Sequence, residues 1–447
     1  MFVAVAWPAI IAHWLARWLG AARACSAGRT GARPGRPAAA RSEPMQPARS
    51  SWLLVAVFCL AEAASMAGFA LVPSLLPKLS LQWRLSATQA GWLSGFFFLG
   101  YLLAVPVLVS LTDRMDARRV YLASAAVGGL AQAGFAAFAD GLVGALGWWW
   151  LTGLGLAGTY MPGLKALTDR LPVAVQSRGT AFYTATFGVG AGLSYLWVEL
   201  LQSLLPWRTL FVVGAAGSLL AVVLVWLGVA AGSVAARRGG MREHWWNVMR
   251  ERRILAYCGG YFGHNWELFG FRAWLVAYLS WQQAHRPDVW TSMPGLVAAG
   301  ATFLAVPASV LGNEGAHRWG RRRWLTRVMP LSCVLALLVS LSGDLPRALL
   351  VGLLLVYAMS MNLDSAALTA GVLTETAVDQ RGTALALYSS VGFAGGLLGP
   401  VVFGVAVDAC GGPGSVGWTA GFVTLAGGVA FGRWAIGRIE RSPAGPA

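Results

Sequence analysis

Twelve apolar runs, each long enough to cross the hydrocarbon of a bilayer, fill most of the chain between residues 51 and 436. They lie at approximately 51–76, 87–110, 118–139, 141–167, 178–200, 207–231, 254–281, 291–312, 324–343, 345–373, 382–408 and 415–436. A helix rises about 1.5 Å per residue, so about 20 apolar residues cover the roughly 30 Å of hydrocarbon. Runs of this length satisfy their backbone polar groups in lipid by forming helices. With 57% of residues hydrophobic and 12% charged, the chain is far more apolar than a soluble domain, where about a quarter of residues carry charge. The expected fold class is an all-α membrane protein with twelve transmembrane helices.

A net charge of +16 would point to nucleic acid in a soluble protein, but here the cations follow topology. If residue 51 enters from the cytoplasm, one side receives Arg114, Arg118 and Arg119, then Lys165, Arg170 and Arg178, then the run Arg237 to Arg253. Arg318 to Arg327, Arg381 and Arg433 to Arg441 fall on the same side. The opposite side holds Lys78, Arg84, Arg208, Arg286 and Arg347. This positive-inside pattern places both termini in the cytoplasm, with the bacterial inner (plasma) membrane as the expected location. It makes membrane lipids partners and removes nucleic acid. Cys25, Cys59, Cys258, Cys333 and Cys410 form no close pair, so neither a disulfide framework nor a metal site follows, and no cofactor is expected.

The first 50 residues are Arg-, Ala- and Pro-rich after an apolar stretch at 3–19. The positive charge follows that stretch instead of preceding it, which is the wrong order for a cleaved signal. The plain expectation is a disordered tail, with Met45 a natural start just before the first span. An interfacial amphipathic helix is the alternative.

The twelve runs are one unit written twice. QSRGTA at 176–181 recurs as DQRGTA at 379–384, an offset of 203. The same offset carries the start of the first run onto the seventh and Arg118 onto Arg321. Two six-span halves, 51–231 and 254–436, are therefore expected, with a short cytoplasmic tail at 437–447. The joining segment 232–253, GSVAARRGGMREHWWNVMRERR, carries six Arg with Trp245 and Trp246 and suits an anionic leaflet.

The loop SLTDRMDARRVYL after the second span resembles the Gly-x-x-x-Asp-Arg-x-Gly-Arg-Arg loop of the major facilitator superfamily. GNEGAHRWGRRRW, after the eighth, resembles its second copy. The resemblance spans about residues 51–436, with Asp116 where the first loop usually has Gly and His317 where the second would have Asp. It implies two rigid bundles that rock about a central site, working as a monomer on a small molecule. It also implies that spans one, four, seven and ten line the cavity. The same resemblance assigns Asp113, with Arg114 and Arg118 beside it, to closing the cytoplasmic side. Arg178 and Arg381, which open spans five and eleven, oppose the helix dipole and want an acid such as Asp169, Glu375 or Asp379. With Arg318 and Arg321 they complete the expected cytoplasmic gate. In span eleven GFAGGLLGP permits close packing and a bend, whereas span five has no proline, against a drug-efflux subgroup.

Ionisable groups at membrane depth face a cavity or a partner. Glu62 stands near the middle of the first span, Asn265 is its repeat equivalent in the seventh, and Glu267 lies two residues on. His264 and Glu267 share a helix face and form a candidate proton pair. Arg272 lies about 140° round from Glu267 and is expected to meet Glu62 or an anionic substrate. Tyr160 and Lys165 in span four, and Asn362 and Asp364 in span ten, complete the set of candidate cavity and end residues. The expected function is secondary active transport of a small anionic or amphoteric solute by alternating access, coupled to protons. A drug or neutral-solute efflux carrier is the rival within that class. An intramembrane transferase using His264, Glu267 and Asp364 is the rival outside it, although one catalytic site gives no reason to duplicate a whole bundle. The chain has no GxxxxGK[ST] loop for nucleotide.

Overall fold

The computed structural model describes residues 48–232, 241–286, 293–377 and 380–438. Residues 1–47 of the tail expected at 1–50, the residues 439–447, Arg237 and Asp379 lie outside the described residues, while 48–50 already belong to the first helix. Among the described residues every regular element is a helix. The first span runs as Ala48–Ser65, a short 3-10 turn Met66–Gly68, and Leu71–Trp83. Spans two to six are Ala87–Leu111, Ala117–Phe138, Leu142–Thr168, Val173–Leu201 and Trp207–Gly228. After the linker helix Met241–Arg250 comes the seventh span, Arg252–His285. The eighth is Pro294–Phe303 continued by Ala305–Trp319, and the ninth is Arg321–Ser340. The tenth is Arg347–Ser360 and Ser365–Thr374 about an unwound turn, followed by Arg381–Ala409 and Ser415–Gly437.

Nine of these spans are both long and apolar enough to cross a membrane. The fourth, fifth and seventh are long enough, at 27, 29 and 34 residues. Their apolar runs are diluted by the polar and ionisable residues they carry, above all in the seventh. Within the first six spans the third packs on the fourth and sixth, the second on the fourth, and the first on the fifth and sixth. Within the last six the seventh packs on the eleventh and twelfth, and the ninth on the twelfth. Val248 of the linker helix is fully buried against Ile254, Tyr257 and Leu325, while Trp246 stays exposed. Val248 thereby docks the linker helix onto the second half.

The molecule has an arginine-rich end, with the connections at 112–116, 169–172, 320 and 375–380, and an opposite, distal end. At the distal end the two halves meet along two seams, span two against eleven and span five against eight. Small residues permit this closeness: a Cβ on Gly95 would fall 2.5 Å from the Leu397 carbonyl oxygen, and one on Gly192 2.5 Å from the Phe303 ring. The outer segment of the first span also packs on the seventh.

The loop at 112–116 is locked by Asp116, the residue that departs from the usual pattern. Its carboxylate receives Arg170 Nη2 at 2.8 Å, Gly232 N–H at 2.7 Å and, as the N-cap of span three, Arg118 N–H at 3.0 Å. Burial alone would push this carboxyl up, but these hydrogen bonds and the Arg170 charge outweigh it and hold it below the usual carboxylate range. A lowered folded-state pKa means its contribution is present above the unfolded value, near 3.8, and is lost as pH falls through the folded value. Asp116→Ala is expected to lower stability by about 2 kcal/mol, seen as a lower Tm in detergent. Asp113→Ala, whose carboxylate has no hydrogen bond or ion pair among the described residues, is expected to leave Tm unchanged.

Candidate functional site

Between the halves lies a cavity of about 430 Å³, closed at the distal end by the two seams and open toward the arginine-rich end, where its wall residues Ala181 and Thr184 are exposed. The seventh span supplies one stripe of its wall. Tyr261, Asn265, Leu268 and Arg272 follow at intervals of four, three and four, which keeps them on one helix face, with His264 and Phe269 beside them. Tyr160 enters from span four and Asn362 from span ten. Spans two, five, eight and eleven add Tyr101, Phe187, Ser309 and Phe393. The first span, expected on this wall, contributes nothing to it. Its Phe69 and Pro73 instead line a smaller void on the far side of Arg272.

Tyr261 stacks on Tyr388 with ring centres 4.0 Å apart and planes 6° from parallel. Phe393 meets Tyr101 at 4.2 Å, and Phe98 meets Phe269 at 4.1 Å, so aromatic contacts between the halves close the head of the cavity. Across the same region Tyr195 Oη donates to the Arg272 carbonyl at 2.9 Å.

The expected pairing of His264 with Glu267 does not form. His264 Nδ1 lies 2.7 Å from Asp364 Oδ1, close enough for an ion pair but without the alignment of a hydrogen bond. The cause is the unwound turn Met361–Asp364, which carries Asp364 to the N-cap of the half-helix Ser365–Thr374 and against the seventh span. An anion there is favoured by the half-helix dipole. Glu267 points away from the cavity into its own bundle, where Ser332 Oγ donates to Oε1 at 2.7 Å. The other oxygen has the Tyr357 hydroxyl beside it but no hydrogen bond of normal geometry.

Glu62 behaves in the same way. It is fully buried and accepts Tyr183 Oη at 3.0 Å, behind the wall instead of on it. Both acids were expected on the cavity face; each turns inward, where a hydroxyl on a neighbouring helix bonds one of its oxygens. The expected Arg272–Glu62 pair is consequently absent. Arg272 is 9% exposed, reaches the cavity, and has no side-chain hydrogen bond or ion pair among the described residues; its nearest compensation is the Phe269 ring, 5.9 Å from Cζ. A buried guanidinium without a counter-ion costs several kcal/mol, on the order of a lost buried ion pair.

The end residues fall apart into separate local contacts. Of the acids expected for Arg178 and Arg381, Asp379 lies outside the described residues and the other two are engaged by other cations. Glu375 pairs with Arg253 at 3.3 Å, and Asp169 with Lys165 at 2.8 Å on its own helix. Arg321 donates to Thr374 Oγ1 at 2.6 Å, Arg318 to Glu314 at 2.7 Å, and Arg118 to the Trp226 carbonyl at 2.8 Å. Arg114 and Arg381 are exposed. These contacts stay within one half, in keeping with an end that stands open.

Sequence reasoning missed the aromatic lining, since Tyr101, Tyr261, Phe269 and Phe393 read as ordinary apolar positions in their spans. The i, i+4 spacing of Tyr261, Asn265, Phe269 and the nearby Arg272 was the available signal.

The described helices thus form a pair of six-helix bundles sealed at one end around one central cavity. The sequence profile of the Major Facilitator Superfamily matches residues 58–363, and the chain belongs to that family, whose members are integral membrane transporters and not enzymes. The chain is 27% identical over 258 residues to the "Probable L-galactonate transporter" of Escherichia coli (strain K12), a match covering 53% of this chain and 54% of that one. It is 23% identical over 155 residues to the "Niacin transporter NiaP" of Acinetobacter baylyi, covering 35% of each. The chain thus spans about half the length of the first relative and about a third of the second. In fold it is similar to a bacterial homolog of the human lysosomal transporter Spinster, solved in an inward-facing and unoccupied conformation. That likeness has a TM-score of 0.75 at 15% identity and covers 89% of this chain and all of that one.

Proposed function

We propose that the protein moves a small organic anion across the membrane by alternating access, coupled to protons, with the arginine-rich end in the cytoplasm. The observation that carries this reading is Arg272: an unpaired, nearly buried cation at the closed end of a cavity sized for one small solute. Such a charge is retained where a ligand supplies its counter-ion. Galactonate and niacin, named for the two sequence relatives, are both carboxylic acids, which fits the same charge.

Proton coupling rests on His264 and Asp364. When His264 holds a proton the two make an ion pair across 2.7 Å; when it loses one, Asp364 keeps an unneutralised charge beside the cavity. The pair can therefore exchange protons with the open end and respond to the charge of a solute nearby.

Reconstituted protein tests both parts. Organic-anion uptake into liposomes should rise under a pH gradient that is acidic outside. Asp364→Asn should reduce gradient-driven accumulation by roughly tenfold or more while solute counterflow, which needs no net proton movement, persists. Accumulation equal to wild type in that variant would remove the pair from coupling.

A further inference from the structure

The walls of the cavity discriminate among anions more finely than the charge of Arg272 does. Resting on the anion reading above, we infer that the solute is a small aromatic or heteroaromatic monocarboxylate, held by Arg272 at its carboxylate, by the Phe269–Phe393 region at its ring, and by the Asn265 amide at its far edge.

Two polar groups on one face of the seventh span make no hydrogen bond of normal geometry to the protein. One is the Arg272 guanidinium. The other is the Asn265 side-chain nitrogen, which has the Tyr261 hydroxyl beside it and sits on a residue only 1% exposed that also lines the cavity. Seven residues separate them, about 10 Å along the helix axis, and the Arg272 side chain spans part of that length. The remaining gap suits a single ring bearing a carboxylate at one edge and a hydrogen-bond acceptor toward the other.

What lies between is apolar. Phe269 sits one turn from Arg272, about 4.5 Å along the axis, and its ring is 6.0 Å from that of Phe393 with planes 29° apart. Leu268, Phe187 and Val306 complete this level of the wall. None of these five offers a hydrogen-bond donor or acceptor; the hydroxyls of Tyr101, whose ring meets Phe393, and of Tyr160, whose ring meets Phe187, are the polar groups beside them. A flat ring gains stacking and edge contacts there, and its carboxylate reaches the one cation present at the head of the cavity. A polyhydroxylated acid of the same charge would set most of its hydroxyls against the Phe269 and Phe393 faces, where they lose water and find few replacements. A dicarboxylate would bring a second charge that Asn265 can hydrogen-bond but not neutralise.

The test uses the full chain in detergent and in liposomes, with nicotinate, benzoate, gluconate and succinate as probes. Direct binding by calorimetry should rank nicotinate and benzoate roughly tenfold or more above gluconate and succinate. Phe269→Leu, which keeps an apolar side chain but removes the ring, should narrow that gap to less than about threefold while gluconate binding barely moves. Asn265→Ala should weaken nicotinate more than benzoate, since only nicotinate has an acceptor in its ring. Gluconate or succinate bound more tightly than either aromatic acid would overturn the inference and leave the anion reading standing. Binding of none of the four by a folded protein would overturn both.

Discussion

Arg272→Gln is expected to abolish binding of the organic anion proposed as the solute, and to do so without unfolding the protein. Removing one member of a buried charge-assisted pair costs about 2–5 kcal/mol, which is roughly 30-fold or more in affinity. The unliganded protein behaves in the opposite sense. Because Arg272 has no counter-ion in the closed head of the cavity, neutralising it relieves an uncompensated charge, and the Tm of the empty variant should equal or exceed that of wild type. The ligand-induced rise in Tm, which follows the logarithm of ligand concentration over Kd, should vanish. Arg272→Lys keeps the charge and loses the planar fork, so it should bind more weakly than wild type and more tightly than the Gln variant. A fall in the Tm of the empty Gln variant with ligand binding retained would make Arg272 a structural residue instead.

The span count, the duplication and the apolar character were legible because they are written in hydropathy and in an internal offset, both of which survive without any knowledge of packing. Depth was legible too. Glu62, His264 and Glu267 do stand in the middle of their spans, fully or almost fully buried. Direction was not. Whether Glu62 looks at the cavity or at its own bundle depends on Tyr183, 121 residues away, and the same holds for Glu267 and Ser332. His264 and Glu267 are helical neighbours by spacing, yet the partner of His264 arrives from span ten, through a break at Met361–Asp364 that contains neither glycine nor proline. The gate residues fared similarly. Arg381 does open its helix, whereas span five begins at Val173 and leaves Arg178 in its second turn, and Glu375 and Asp169 had been taken by cations closer at hand. The first span offers the clearest case: its turn at Met66–Gly68 and the packing of its outer segment on the seventh span keep it off the main cavity, and no local signal in its apolar sequence announces that.

The distal seal should yield to loss of two carboxylates. Asp408, at the end of span eleven, accepts the N–H groups of Ala87 and Thr88 at 2.9 and 2.7 Å, and so caps the N-terminus of span two in the other half. Glu199, near the end of span five, lies against Gly295 in the first turn of span eight, again in the other half, and is held by Gln202. The two contacts are topological counterparts, since spans five and eleven, like spans two and eight, occupy matching places in the repeat. Each sets a negative charge on the positive end of a helix dipole and holds one half to the other. The arrangement must break if the cavity is to open distally. At about 1–2 kcal/mol for each contact, the double variant Glu199→Gln with Asp408→Asn should shift the balance of the two states by roughly 30-fold or more. Spin labels at exposed positions report it directly. The distance between Leu81 and Val416, at the distal ends of the two halves, should lengthen. That between Val173 and Trp319, at the arginine-rich end, should shorten in the same samples. Reciprocal movement distinguishes rocking of the halves from mere fraying of the distal loops, in which the first distance would broaden while the second stayed fixed. Unchanged distributions at both ends would mean that the glycine-lined seams hold the distal end shut without help from either carboxylate.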